Sequence, residues 1–202
     1  MSLPATATDT ELVVYARRGQ NGAIAILVER HSPRLYRYLA RLVANPALAE
    51  DLLQDTWLRV VERLDSYNAA QPFLVWLFAI ARHRAIDTFR QRTRERSHFG
   101  VRSEPWEDDE GERVEPLERV AAATPSPLED ASEAELSRRV EQAFRRLPLH
   151  YREALTLRFH QDLRLEEIAR VLGVPLSTAK TRVQRGLILL RRRAEGLGLE
   201  PQ

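Results

Sequence analysis

The chain has 202 residues, 44% of them hydrophobic, enough for two small cores or one larger one. With no cysteine it has no disulfide, thiolate metal site or thiol nucleophile, and its histidines (His31, His83, His98, His150, His160) fall in no metal-ligand spacing, so neither metal nor cofactor is expected. The net charge of +2 hides a segregation: 14 arginines against 10 acids over residues 1–96, 3 against 12 over 97–135, and 14 basic residues against 7 acids over 136–202.

The first segment, MSLPATATDTE, lacks the basic and apolar parts of a signal peptide, and the longest apolar run, residues 73–81, is far short of a membrane span. The expectation is a cytoplasmic protein without membrane insertion. Residues 9–18 read as a short helix and residues 22–43 as a longer one, perturbed near Pro33 and ended by Asn45-Pro46. Ala49, Leu52, Leu53, Thr56, Trp57, Val60, Val61 and Leu64 then follow helical spacing, with Asp51, Asp55, Leu58 and Glu62 on the opposite face. A leucine among acids fits a partner surface edged with basic groups, with Gln54 and Arg59 at its margin. It also fits a solvated acidic face carrying one stray apolar residue.

A fourth helix is predicted from about Pro72 to about Arg96, its apolar half bearing Phe73, Trp76 and Phe78, and its basic half Arg82, Arg84, Arg90, Arg92, Arg94 and Arg96. Aromatics beside arginines suit single-stranded DNA, where bases stack and phosphates pair with cations. Trp76, Phe78 and Ile80 are better read as core, and Asn68 in the loop SYNAAQPF is the better base contact. The alternating arginines at the helix end spread around it, which favours diffuse phosphate contact. Asp87 reads as a structural partner of a nearby arginine.

Residues 97–131 are rich in proline and acid without apolar periodicity and read as a linker between an N-terminal domain (1–96) and a C-terminal one (132–202). The second domain opens on Ser132-Glu133-Ala134-Glu135, a capping-box pattern, with one helix to Arg146 and another from Pro148 to about His160. Leu165, Ile168, Ala169 and Leu172 form one apolar stripe, Gly173 permits a turn, and Leu176, Ala179, Val183, Leu187 and Leu190 form a second, which is helix-turn-helix spacing. The second helix turns Ser177, Thr178, Thr181, Gln184 and Arg185 outward, with Lys180, the chain's single lysine, and Arg182 at the flanks. These side chains are donors for base edges and phosphates, although an ordinary helical hairpin with a basic face has the same spacing. The expected fold class is all-α: two small helical domains joined by an acidic flexible linker.

Taken together, AEDLLQDTWLRVVERL (residues 49–64), FLVWLFAIARHRAIDTFRQR (73–92) and the helix-turn-helix resemble the extracytoplasmic-function sigma factors of the sigma-70 family of bacterial RNA polymerase initiation factors. The departures are local: His83 stands where the family usually has Asn, Ala179 replaces a Val or Ile, and Pro175 replaces a capping Ser.

The resemblance implies sigma region 2 over 1–96 and sigma region 4 over 132–202. The 49–64 helix would dock on core RNA polymerase, whose largest and second-largest subunits are the implied partners, through Asp51, Gln54, Asp55, Leu58, Arg59 and Glu62. Asn68, Arg82, Arg84, Arg90 and Arg92 would hold the melted minus-ten element. Ser177, Thr178, Lys180, Thr181, Arg182, Gln184 and Arg185 would read the double-stranded minus-thirty-five element. An anti-sigma factor is a further implied partner. The linker is either a solubilising tether or, by the resemblance, an occupant of the polymerase's basic RNA path. A conventional DNA-binding regulator, with residues 1–96 sensing a ligand or dimerising, is the competing reading. A hydrolase is disfavoured, because no phosphate-cradling glycine loop or nucleophile motif is present.

Overall fold

The computed structural model describes residues 6–20, 22–98, 106–107, 113–114 and 131–195, with side chains over 6–20, 22–91 and 137–194. The helices among them are α1 (Asp9–Arg17), α2 (Gly22–Val43), α3 (Pro46–Glu62), α4 (Phe73–His98), α5 (Ala131–Arg145), α6 (Leu149–Leu155), α7 (Leu165–Leu172) and α8 (Leu176–Glu195). They fall into two compact units, one built mainly from residues up to Thr88 and the other mainly from Phe89 onward. The all-α expectation holds with one small addition: two-residue strands, β1 (Trp106–Glu107) and β2 (Arg113–Val114), pair antiparallel. Within 99–130 these four residues are all that is described, so the flexible-linker reading lies outside the described residues.

In the N-terminal unit, α1 begins at a capping box: Thr8 N–H donates to Glu11 Oε2 at 2.8 Å and Glu11 N–H to Thr8 Oγ1 at 3.3 Å. α2 buries Ala23, Leu27, His31, Leu35, Leu39 and Leu42, a helical stripe facing the core. It runs unbroken through Pro33, contrary to the expected perturbation. Pro33 is exposed, so the carbonyl its ring leaves without a donor is open to water instead of stranded in the core. Asn45-Pro46 ends α2 and also starts α3: Asn45 Oδ1 accepts from Leu48 N–H at 3.1 Å and Pro46 occupies the first turn. Trp57 Nε1–H donates to Ser32 Oγ at 3.0 Å, tying α3 to α2, and the buried Thr56 hydroxyl is satisfied by Leu52 O at 2.6 Å. α4 fills the core with Phe73, Val75, Leu77, Phe78, Ala81, Ala85 and Phe89.

In the C-terminal unit, Ala143, Phe144 and Leu147 are buried with Ala154, Leu155 and Leu157. The helix begun at Pro148 reaches His160 as expected, but its last turn widens into a π-turn over Thr156–His160. The side chains of the predicted Ser132–Glu135 capping box lie outside the described residues. α7 ends in a Schellman motif. Gly173 N–H donates to Arg170 O and Val174 N–H to Ala169 O, while Gly173 takes φ +67°, the left-handed conformation the turn requires. Gly186 on α8 meets α6 closely, since a Cβ there would lie 3.2 Å from Leu155 Cγ and 3.3 Å from Tyr151 Cβ.

Two stability predictions follow from these contacts. The Asp9 carboxylate accepts from Arg30 Nη1 at 2.6 Å and from His31 Nε2 at 2.9 Å, joining α1 to α2. Partial burial opposes its charge, but the His31 and Arg30 hydrogen bonds and charges outweigh that, and its pKa falls below the ordinary 3.8. A depressed folded pKa stabilises the fold above the unfolded value, and that stability is lost as pH falls through the folded one. Asp9→Asn should therefore lower the urea midpoint at pH 7 and converge with wild type as the pH is taken well below 3.8. Gly186→Val should destabilise the C-terminal unit by ~1–3 kcal/mol through overpacking against Leu155 and Tyr151, measured by urea unfolding.

Candidate partner and nucleic-acid interfaces

α3 presents one continuous exposed face. Asp51, Gln54 and Leu58 are exposed as expected, with Leu58 at 64%, and Val61 at 53% joins them one turn on. Val61 corrects the sequence reading, which put it on the buried stripe. Val61 follows Leu58 by three residues and Gln54 by seven, so helical spacing sets it on the exposed face, whereas Leu64 comes after α3 ends at Glu62 and is buried in a 3₁₀ turn over Leu64–Ser66. Arg59 and Glu62 pair along the helix at 3.0 Å, a surface contact of small energetic weight.

Asp55 differs from its neighbours. It is half-buried, and one of its carboxylate oxygens accepts from both Nε and Nη2 of Arg84 on α4. The two residues were expected on separate surfaces, one for a protein partner and one for DNA. Together they form an ion pair between α3 and α4 that neutralises both charges. Arg82 is half-buried, Arg90 is exposed, and the side chain of Arg92 lies outside the described residues, as do those of Arg94 and Arg96. His83 turns back on its own helix, Nδ1 lying 2.7 Å from Ala79 O.

The loop before α4 is short and internally bonded. Asn68 is exposed, and its Oδ1 accepts from Ala70 N–H at 2.9 Å while Gln71 N–H donates to Asn68 O at 3.2 Å. Committing the amide oxygen to the backbone leaves the amide N–H₂ as the group Asn68 offers outward. Tyr67, which sequence reasoning passed over, closes the loop: its hydroxyl donates to Gln71 O at 2.8 Å and its ring lies 5.3 Å from Trp76 and 5.7 Å from Phe73. Trp76 packs in that aromatic group but is only half-buried, so it lies at the edge of the core in which it was expected.

On α8, Ser177, Lys180, Gln184 and Arg185 are exposed, and Thr178 and Thr181 are half-buried, Thr181 Oγ1–H donating to Ser177 O at 2.9 Å. Arg182 is 3% exposed, so it does not lie at the flank of the outward face, and its Nε has no hydrogen-bond partner. The buried arc of the helix comprises Ala179, Arg182, Val183 and Gly186, turned away from Leu176 and Leu187, which are exposed although the expected stripe held them. The cause is the close α6–α8 approach at Gly186, which rotates the helix toward that residue. Among the described residues, no cluster of His, Cys, Asp or Glu could hold a metal ion, and no helix is long and apolar enough to cross a membrane.

A helix-turn-helix with an exposed polar second helix, in a chain with a second all-helical unit, is the arrangement used by DNA-binding modules. Residues 27–95 match the family model for sigma-70 region 2, and residues 137–197 that for sigma-70 region 4. The chain is 33% identical to the RNA polymerase sigma factor CarQ of Myxococcus xanthus, covering 91% of this chain and 96% of that protein. It is 28% identical to the ECF RNA polymerase sigma factor SigW of Bacillus subtilis, covering 92% and 96%. In fold it is similar to the sigma factor RpoE in its complex with the anti-sigma factor NepR from Bartonella quintana (TM-score 0.67, 24% identity, 83% of this chain and 94% of that one). It is likewise similar to CnrH in complex with the cytosolic domain of CnrY (TM-score 0.66, 22% identity, 94% and 99%). The chain belongs to the extracytoplasmic-function sigma factors of the sigma-70 family.

The Asp55–Arg84 pair generates a prediction that separates structure from binding. Asp55→Asn should cost on the order of 1–2 kcal/mol in urea unfolding, between the values of exposed and buried pairs. The swap Asp55→Arg with Arg84→Asp should recover part of it, whereas an additive loss in the double variant would show that the pair contributes no coupling.

Proposed function

We propose that this chain binds core RNA polymerase, directs it to promoters through two DNA contacts, assists their melting, and acts in the cytoplasm under the control of an anti-sigma factor. It acts by binding and carries out no catalysis of its own. The observation that carries the reading is the occurrence, in order along one chain, of both sigma-70 regions. Domain limits of 1–96, 97–131 and 132–202 fit it, the last being the DNA-reading part.

In this reading the exposed α3 face, Asp51, Gln54, Leu58 and Val61 with Arg59 and Glu62 at its edge, meets polymerase. A pair of exposed apolar side chains ringed by acids suits a partner with an apolar centre and a basic rim. Asp55 contributes indirectly, by holding α3 against α4. Asn68 donates its amide hydrogens to an unpaired base of the minus-ten element, while Arg82, Arg90 and Arg92 attract the strand's phosphates. On α8, Ser177, Gln184 and Arg185 face base edges and Lys180 a phosphate, with Thr178 and Thr181 beside them. The anti-sigma partner is supported by the complex of the sigma factor RpoE with the anti-sigma factor NepR, whose sigma-factor fold this chain shares. The sequence chemistry of residues 97–131, acidic and proline-rich, suits a basic path and not DNA.

Run-off transcription from the DNA upstream of its own gene, with core polymerase and with or without this chain, tests the whole. A transcript that depends on the chain is expected, and equal transcription without it would defeat the proposal. Leu58→Asp should abolish most core binding without affecting DNA binding by the helix-turn-helix. Lys180→Ala should weaken promoter binding across sequences and lower the salt slope by about one, while Arg185→Ala should cost ~1–3 kcal/mol on the cognate element and relax preference at one position. Nanomolar specific duplex binding by the chain alone at physiological salt would favour a conventional regulator instead.

A further inference from the structure

The exposed loop at Asn68 is held from outside the segment that matches the region 2 family model. Arg17, the last residue of α1, lies before the 27–95 segment that matches the family model, yet its guanidinium reaches the turn that leads into the loop. Its Nη2 donates to three carbonyls, Leu64 O at 2.8 Å, Asp65 O at 3.1 Å and Tyr67 O at 2.7 Å, and its Nε donates to Leu64 O at 3.2 Å. The Asp65 carboxylate stands at the rim, 3.8 Å from Nε. Carbonyls at the end of a helical turn carry partial negative charge, which a cation satisfies best, and Leu64 O takes the guanidinium in addition to the Tyr67 N–H at 3.2 Å. The two hydrogens of Nη2 are shared among the three carbonyls, and Nε adds a second donor to Leu64 O, so one charged group ties together the whole turn.

Tyr67 O, the third acceptor, is one residue before Asn68. The far side of the same residue is fixed by its ring, against Phe73 and Trp76, and by its hydroxyl on Gln71 O. Arg17 thus fixes the backbone from which the Asn68 side chain projects, and the Asn68–Ala70 turn fixes the side chain itself.

We propose that Arg17 is the positioning residue of the base-reading loop: by clamping the Leu64, Asp65 and Tyr67 carbonyls it holds Asn68 ready before DNA arrives. The inference rests on the reading of Asn68 as a base contact. Preorganised, the loop needs no ordering at the moment the duplex opens, so the clamp acts on opening and on base choice.

The test uses the full chain with core polymerase and the variants Arg17→Ala, Arg17→Lys, Asn68→Ala and the Arg17→Ala, Asn68→Ala double. Core binding, opening rate on duplex promoter, and base preference on pre-melted templates carrying each of the four bases in the minus-ten element are measured for each. Arg17→Ala should leave core binding within about twofold, slow opening roughly tenfold, and reduce base preference to the level of Asn68→Ala. The double variant should be no worse than Asn68→Ala, and Arg17→Lys should fall between wild type and Arg17→Ala. A general structural role would instead lower core binding and opening together and leave base preference intact, which would overturn the clamp. Additive effects of the two substitutions would overturn it as well. If Asn68→Ala alone is silent while Arg17→Ala alters base preference, the clamp stands and another loop residue reads the base; if both are silent, both assignments fall. Should Arg17→Ala fail to fold by circular dichroism, Arg17→Met, which keeps the apolar stem and removes the charge and donors, carries the test, and unchanged base preference in that variant overturns the proposal.

Discussion

Phe73 sits buried at the start of α4, its ring 5.4 Å from His31, 5.7 Å from Tyr67 and 5.7 Å from Trp76. These contacts connect most of the N-terminal unit. His31 belongs to α2 and reaches α1 through Asp9; Tyr67 belongs to the loop; Trp76 continues into α4. One apolar anchor therefore sets where α4 begins, and everything exposed nearby inherits its position. The loop before Phe73 must turn back over the aromatic group, which is why its tip is outward and its closing hydrogen bonds are internal. The basic half of α4 follows from the same anchor, because a helix whose first turns are buried has its later turns aimed by them. Aromatic pairs of this geometry add ~0.5–1.5 kcal/mol each beyond the area they bury, so the cluster is energetically able to impose that order.

The C-terminal unit solves a different problem, that of a small core with many polar groups in it. Glu153, Thr156, Gln161 and Arg182 are all buried beside the apolar residues. Arg152 is half-buried, and desolvation of its guanidinium brings its pKa down to about 10, partly offset by the charges of Glu153 and Glu141, so it stays charged at neutral pH. Its Nη1 donates to Arg145 O at 3.0 Å, and Arg193 Nη1 donates to Arg146 O. Two arginines from α6 and α8 thus occupy the carbonyl end of α5, where cations are favoured. The polar cost of the small core is offset by using those charges as helix caps, and α8 is held from its C-terminal end while its N-terminal half stays free to present Ser177, Lys180 and Gln184.

How much of this was legible in the sequence depends on whether the deciding contact was local. The α3 periodicity gave Leu58 as exposed and Trp57 as buried, since both follow from helical spacing alone. Val61 was misplaced because it borders both stripes: it lies four residues after buried Trp57 and three after exposed Leu58, and spacing alone does not say which the packing covers. Arg182 was misplaced because the rotation of α8 is set by Gly186 against Leu155 and Tyr151, residues far apart in sequence. The Asp55–Arg84 pair and the Arg17 clamp were invisible for the same reason: each joins residues 29 or more positions apart, and charge patterning shows that acids and arginines exist without showing which of them meet. Family resemblance could not supply Arg17 either, since it lies before the matched region.

These non-local contacts change how the exposed charges act. An acidic stripe read from spacing treats Asp51 and Asp55 as equals, but the second is spent on Arg84, so the α3 face carries less free negative charge than its composition implies, and its apolar pair Leu58 and Val61 weighs more. Coulomb attraction between exposed charges fades beyond a Debye length of ~8 Å at physiological ionic strength, whereas apolar burial is insensitive to salt. If this face docks on polymerase as proposed, that docking should hold at ionic strengths that weaken the DNA contacts proposed for Lys180 and the α4 arginines. On the proposed function, the order of assembly would follow from that difference: the chain would stay on its partner while two small DNA surfaces bind and release. Each surface then gains from the other through effective concentration, which a single helix-turn-helix acting alone would lack.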